Sequence, residues 1–233
     1  MKEMPIKVLL VEDNPTDADL IQRMLAQASI KDASARSFDL ECADHLSTAL
    51  KRLTAGGIDV VLLDLTLPDS QGLKALTEVR TQAAPVPVIV LSGIDDEALA
   101  IEAVSQGAQD YLVKGHVDGF SLARAIRYAI ERKQAEEALK RERDFIFAVL
   151  DTLSALVIVL DPEGRIVRFN HACEEMTGYS ADEAIGKYLW DLLLLPEEVE
   201  SVKVVFKSLL TGVLSNQHEN YWVAEDGERR LIA

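Results

Sequence analysis

The stretch from Ile58 to Gly72, IDVVLLDLTLPDSQG, decides the fold of the first half of the chain. Its run Val60–Leu65 is apolar except for Asp64, rich in Val and Leu, and too short for a helix. Because turn residues follow at 67–70, this run predicts a strand that is buried on both faces. Asp64 then lies at the carboxyl end of the strand, where open α/β sheets form their ligand crevices. A charge buried there needs a partner.

Similar runs recur on both sides of this strand and alternate with helical patterns. We predict further strands over Ile6–Val11, Phe38–Cys42, Val86–Leu91 and Asp110–Val113, and helices over about 15–28, 44–55, 73–81 and 95–106. This alternation is typical of an α/β fold, a doubly wound five-stranded parallel sheet with right-handed crossovers.

Composition narrows the class of protein. A chain of 233 residues with 48% hydrophobic and 27% charged residues has room for two ordinary globular domains. Its net charge of −15 argues against a nucleic-acid surface. Residues Met1–Pro5 carry no apolar signal-peptide core, and no apolar run approaches the length of a membrane span. We therefore expect no membrane partner. Cys42 and Cys173 stand far apart without a CxxC motif, so we expect no disulfide framework and a reducing, cytoplasmic location.

Four charged residues and one serine lie at the predicted strand ends. Glu12, Asp13, Asp64, Ser92 and Lys114 all follow or end a strand, and a parallel sheet places such positions on one rim. Carboxylates packed there repel each other by roughly 4 kcal/mol per pair at an effective dielectric near 20. We therefore expect a divalent cation at this rim.

Mg²⁺ suits a site of hard oxygen ligands that retains several waters. We predict Asp13 and Asp64 as direct ligands, Glu12 as a ligand through water, and the backbone carbonyl of Thr66 as a further one. With its charge neutralised by the metal and by Lys114, an Asp side chain can attack phosphorus.

Asp64 is thus the predicted nucleophile of a phosphoryl transfer. The Ser92 hydroxyl and the Lys114 ammonium would hold the transferred oxygens, since phosphoryl transfer is catalysed mainly by metal ions and cationic groups.

Four short motifs in this order resemble response-regulator receiver domains over about residues 5–130. They are Val11-Glu12-Asp13-Asn14, Leu63-Asp64-Leu65 with Pro68 and Gly72, Leu91-Ser92-Gly93, and Tyr111-Leu112-Val113-Lys114-Gly115. The resemblance implies a flavodoxin-like strand order of 2-1-3-4-5. It also implies that Asp64 is phosphorylated by a histidine kinase or phosphotransfer protein, or slowly by a small phosphodonor. The receiver itself would catalyse its phosphorylation and dephosphorylation.

The resemblance also implies a switch. Ser92 would move toward the phosphoryl group and Tyr111 would turn inward behind it. Ser70 and Gln71 depart from the more usual Met-Asp, and Thr66 flanks the pocket, which leaves the lifetime of the phosphorylated state open.

A helical pattern runs without Gly or Pro from Phe120 to beyond residue 153. Leu139, Ile146 and Leu153 recur every seven residues, as in a two-stranded coiled coil, although Arg132 and Glu142 also occupy core positions. Residues 118–153 hold seven acidic and seven basic side chains, whereas acidic residues predominate on both sides. We predict a linker helix over 120–153 that forms a parallel homodimer; the alternative is a helix that folds back on its own domains.

The last part of the chain, about 142–233, resembles a PAS sensor domain, an α+β fold with an antiparallel sheet. The resemblance is carried by Asp161-Pro162-Glu163-Gly164-Arg165, Phe169-Asn170, Met176-Thr177-Gly178-Tyr179, Glu183 and Ile185-Gly186-Lys187. We predict one hairpin from Leu156–Leu160 and Ile166–Phe169, helical pieces, a longer helix near 197–210, and a second hairpin from Glu219–Ala224 and Arg229–Ile232.

We expect this domain to dimerise and to hold no tightly bound cofactor, because Cys173, His171 and His218 lack the settings of flavin or haem ligands. A PAS sheet has five strands, and Ala233 falls in the fourth, so we expect the last strand and an output domain beyond it.

Two other functions compete with a response regulator that signals through a PAS dimer. The chain could be the regulatory part of a larger hybrid histidine kinase or nucleotide cyclase. A phosphatase of the haloacid-dehalogenase type would need a second Asp two residues after Asp64, where Thr66 stands instead.

Overall fold

The computed structural model describes residues 4–31, 36–83, 85–93, 95–212 and 218–232. The chain forms two compact units, Met1–Lys140 and Arg141–Ala233. None of the described helices combines the length and the apolar character that a membrane crossing requires.

The first unit is built on a five-stranded parallel sheet. Its strands are β1 (Ile6–Val11), β2 (Phe38–Ala43), β3 (Val60–Asp64), β6 (Val88–Ser92) and β7 (Asp110–Val113), separated after β3 by a small hairpin of β4 (Thr66–Leu67) and β5 (Ser70–Gln71). The order across the sheet is β2-β1-β3-β6-β7, with every pair parallel. The predicted doubly wound sheet of order 2-1-3-4-5 is therefore confirmed.

Five helices accompany the sheet, namely α1 (Pro15–Lys31), α2 (Leu46–Thr54), α3 (Leu73–Gln82), α4 (Glu97–Ser105) and α5 (Gly119–Thr152). The side chain of Asp96 accepts the N–H groups of Ala98 and Leu99 and caps α4. Asp69, in the turn between β4 and β5, accepts the N–H groups of Leu46 and Ser47 at 2.8 and 3.0 Å. This contact fastens the loop after Asp64 to the start of α2.

The central strand β3 supplies both sides of the core. Successive side chains of a strand point to opposite faces. Accordingly, Val61 and Leu63 pack in one cluster with residues of α2 and α3, whereas Val60 and Leu62 pack in another with residues of α1 and α5. All five residues of β3 are buried, as predicted for a strand covered on both faces.

Helix α5 leaves the core part-way along its length. Its buried side chains are confined to the segment Leu122–Ile130. From Glu131 to Thr152, all of which the structure describes, no side chain is buried in the single chain. The predicted long helix is present, and no described part of the chain buries the side chains of its second half.

In the part of the chain that the structure describes, the second unit contains the end of α5, two antiparallel hairpins and four further helices. These elements are β8 (Ile158–Leu160), β9 (Ile166–Phe169), α6 (His171–Thr177), α7 (Ala181–Ala184), α8 (Leu189–Leu192), α9 (Val199–Leu210), β10 (Asn220–Val223) and β11 (Arg229–Ile232). The core includes Ile166, Phe169, Cys173, Leu193 and Trp222.

Both predicted hairpins of this unit are present, but among the described residues they are not joined into one sheet. The edge of β10 that faces away from β11 contacts the segment after α8 instead of another strand. There the Val223 N–H donates to the Leu193 carbonyl at 2.8 Å, and Trp222 forms an antiparallel β-bridge with Leu194. The antiparallel strands expected of this α+β domain are therefore present, as two pairs among the described residues.

Candidate functional site

The sheet brings acidic side chains together at its carboxyl rim. Glu12 and Asp13 directly follow β1, and Asp64 ends the neighbouring strand β3. One carboxylate oxygen from each of the three lies within 4.8 Å of the others. Glu12 and Asp64 are buried, while Asp13 is exposed. The predicted clustering of these three residues is present.

Lys114, just after β7, supplies the positive charge of the cluster. Its Nζ donates to Asp64 Oδ2 at 2.8 Å and also to Glu12 Oε2. A third partner is Asp17 in the first turn of α1, whose Oδ2 lies 3.1 Å from Nζ. Because the Lys114 side chain is only 17% exposed, these ion pairs are poorly screened by water.

Asp17 was not among the predicted site residues. The one indication in the sequence is that Asp17 lies in the first turn of a helix that begins just after Glu12 and Asp13. The first turn of that helix lies near the end of β1, so a side chain there can reach the acidic rim. No motif marks it, and its direction depends on how α1 packs on the sheet.

Burial and charge act oppositely on two of these groups. Burial raises the pKa of the Glu12 carboxyl, and the hydrogen bond from Lys114 offsets this in part, whereas the charge of Asp64 adds to it. Burial acts to lower the pKa of Lys114, but hydrogen bonds to Asp64 and Glu12 outweigh it and the pKa lies above its ordinary value. Lys114 therefore stays charged at neutral pH.

Backbone hydrogen bonds hold the rim in shape. The Thr66 N–H donates to Asp64 Oδ1 at 3.0 Å, and the Asn14 N–H donates to Glu12 Oε1 at 3.2 Å. The Lys114 N–H donates to the Ser92 carbonyl at 2.7 Å, which keeps the ends of β6 and β7 adjacent.

The remaining predicted residues surround the cluster at different depths. Ser92 is buried at the end of β6, in the strand that pairs with β3. Thr66 is exposed two residues after Asp64. Tyr111 lies in β7, half-buried against the core cluster that contains Leu63.

The cluster has the chemistry of a magnesium site. Three carboxylates provide hard oxygen donors, two of them buried where repulsion is strongest, and a single ammonium only partly balances them. A divalent cation would complete that balance, so the residues present fit Mg²⁺.

The family description "Response regulator receiver domain" matches residues 8–127, about half of the chain. The chain belongs to the response regulator receiver family. The description "PAS fold" matches residues 144–232, so a PAS domain follows the receiver domain. This arrangement is consistent with two-component signalling.

Two curated proteins that resemble the chain contain the same kinds of signalling function in their names. The chain is 30% identical over 146 residues to the regulatory protein AtoC of Escherichia coli, which covers 63% of this chain and 29% of AtoC. It is 25% identical over 238 residues to the sensor histidine kinase TmoS of Ectopseudomonas mendocina, which covers 88% of this chain and 23% of TmoS. The chain thus spans less than a third of these two relatives.

The fold of the receiver domain also matches a solved structure. A signal receiver domain from Vibrio parahaemolyticus superposes with a TM-score of 0.50 at 23% identity, covering 58% of this chain and 98% of the other.

Proposed function

We propose that Asp64 accepts a phosphoryl group from the phosphohistidine of a histidine kinase or phosphotransfer protein. An Asp64 carboxylate oxygen attacks the phosphorus, the P–N bond breaks, and the imidazole leaves with the electron pair of that bond. The observation that carries this proposal is the direct ion pair between Lys114 Nζ and Asp64 Oδ2, in a rim that also holds Glu12 and Asp13.

The neighbouring side chains have distinct roles in this reaction. The Lys114 ammonium binds a phosphoryl oxygen and balances the charge that Asp64 gains, since cations at the transferred group supply most of the catalysis. The Ser92 hydroxyl, at the end of the adjacent strand, binds a second oxygen. Tyr111 follows Ser92 as the switch residue, turning inward after phosphorylation.

Mg²⁺ is the proposed cofactor. Asp13 and Asp64 would hold it directly, Glu12 through water, and the Thr66 carbonyl as a further ligand. When bound, the ion neutralises negative charge on the phosphoryl oxygens. The receiver domain then catalyses its own phosphorylation and dephosphorylation.

The signal would pass from the receiver domain (5–130) through the linker helix (120–153) to the PAS domain (142–233). Leu139 and Ile146 in α5, and Leu153 just after its last residue, are exposed at seven-residue spacing. We propose that a second copy of the chain covers them in a parallel coiled coil and that the PAS domains of the two copies also contact each other. We propose that this dimer acts in the cytoplasm.

Substitution of the acceptor tests the proposal. With a radiolabelled phosphodonor and Mg²⁺, the wild type should incorporate label and Asp64→Asn should incorporate none. Asp59→Asn is the matched control, because Asp59 precedes the same strand at its opposite end and its side chain accepts the Lys7 N–H, away from the acidic rim. Undiminished label in Asp64→Asn would refute the assignment.

A second candidate follows from the match to TmoS over 88% of this chain. The receiver and PAS domains would then regulate a histidine kinase or nucleotide cyclase domain that lies outside this sequence. The coding sequence on both sides of this stretch would distinguish the two.

A further inference from the structure

The Lys114 ammonium has three N–H donors and three carboxylate partners. Asp64 and Glu12 belong to the proposed phosphorylation site, but Asp17 does not. Asp17 Oδ2 lies 3.1 Å from Nζ, close to the 2.8 Å of the Asp64 contact. Every donor of the ammonium therefore has a negatively charged acceptor before any phosphoryl group arrives.

The surroundings of Asp17 strengthen this contact. Asp17 and Lys114 border a small cleft whose other wall is mainly apolar, formed by Leu20, Ile21, Met24, Leu91, Val117 and Leu122. The Asp17 side chain is 35% exposed and that of Lys114 is 17% exposed. Since apolar side chains replace water on one side of the pair, the charge of Asp17 is felt by Lys114 more than that of an ordinary surface residue.

We propose that Asp17 is a positioning residue that restrains Lys114 and thereby slows phosphorylation. This inference rests on the proposed function of Asp64. To bind a phosphoryl oxygen, Lys114 must redirect a donor from a carboxylate. A negative charge on the α1 side of the ammonium holds it back and weakens its attraction for the incoming group. Asp17 thus competes with the phosphoryl group for the same cation.

The sign of the effect separates this role from a merely structural one. If Asp17 only supported the fold or held Lys114 in its working position, its removal would slow phosphorylation. If it competes for Lys114, removal of its charge speeds phosphorylation. A damaged variant cannot imitate such a gain.

The test uses Asp17→Asn in the full chain, because Asn keeps an oxygen acceptor at the same place and removes the charge. With acetyl phosphate as donor and saturating Mg²⁺, kcat/KM for labelling of Asp64 should rise about two- to fivefold, the size of a partly screened ion pair. The affinity for beryllofluoride, a stable phosphoryl analogue, should rise by a similar factor in calorimetry. Asp17→Glu, which restores a charge, should bring both values back toward those of the wild type.

Asp19→Asn is the matched control. It makes the same charge change two residues further along α1, where the exposed Asp19 pairs with Arg23 instead of Lys114. Its labelling rate should equal that of the wild type.

An equal or lower rate in Asp17→Asn, with label still dependent on Asp64, would overturn the inference and leave the proposed function intact. An equal gain in Asp19→Asn would also overturn it, because the effect would then be general electrostatics. Absence of Asp64-dependent label in the wild type would overturn both proposals.

Discussion

At the scale of single residues, Asn170 ties together three segments of the second unit. It is fully buried, and its Nδ2 donates to the Leu150 and Ala155 carbonyls at 2.9 Å each. Its Oδ1 accepts the Val157 N–H at 2.9 Å and the Cys173 N–H at 3.3 Å. One amide therefore caps α6, joins the segment before β8, and satisfies a carbonyl in the last turn of α5.

Asn170→Ala should destabilise the second unit by about 2–4 kcal/mol, because several buried backbone groups lose their partner at once. Urea unfolding followed by fluorescence measures this directly, since Trp190 and Trp222 both lie in that unit. Asn170→Asp is the informative companion: it keeps the acceptor oxygen and loses the donors to Leu150 and Ala155. A loss below about 0.5 kcal/mol for Ala, the range of ordinary surface substitutions, would show that water replaces these bonds.

The residues of the acidic rim were predictable because the sheet itself brings them together. Glu12, Asp13, Asp64 and Lys114 follow parallel strands, so topology alone fixes their side of the sheet. The contacts of Asp17 and Asn170 depend on how α1 packs and on how a loop closes over α6. Neither leaves a periodic signal in the sequence.

At the scale of secondary-structure elements, helix positions follow periodicity while their ends follow capping. Helix α4 was predicted from Asp95 but begins at Glu97, because Asp96 is its N-cap. The hairpin of β4 and β5 was not predicted at all. It consists of two pairs of residues, too few for an alternating pattern to appear.

Helix α5 carries the prediction at this scale. In the proposed dimer Ile146 is buried against its counterpart, although it is 49% exposed in the single chain. Ile146→Asp should weaken dimerisation by at least about 3 kcal/mol, since two Ile side chains lose their burial and two charges face each other. Sedimentation equilibrium should show the dissociation constant rising by more than about a hundredfold.

Arg141→Asp provides the comparison for that experiment, because it adds the same acid to an exposed position off the heptad seam. Its dissociation constant should change far less. Equal effects of the two variants would mean that the seam is not the interface.

At the scale of the whole molecule, the proposed metal site and the tryptophans lie in different compact units. The proposed magnesium ligands Glu12, Asp13 and Asp64 all belong to the first unit, and both tryptophans belong to the second. A ligand that binds the folded but not the unfolded state stabilises the unit that contains its site. Each unit therefore offers a separate readout of its own unfolding.

Mg²⁺ at one hundred times its dissociation constant should stabilise the first unit by about 2.7 kcal/mol. Hydrogen exchange of amides in β1, β3 and β6 should slow accordingly, while the tryptophan transition in urea stays where it was. EDTA should reverse the effect, and Asp13→Asn, which removes the exposed ligand, should abolish most of it. A tryptophan transition that moved with Mg²⁺ would contradict independent unfolding, because stability given to the receiver domain would then have reached the PAS domain through α5.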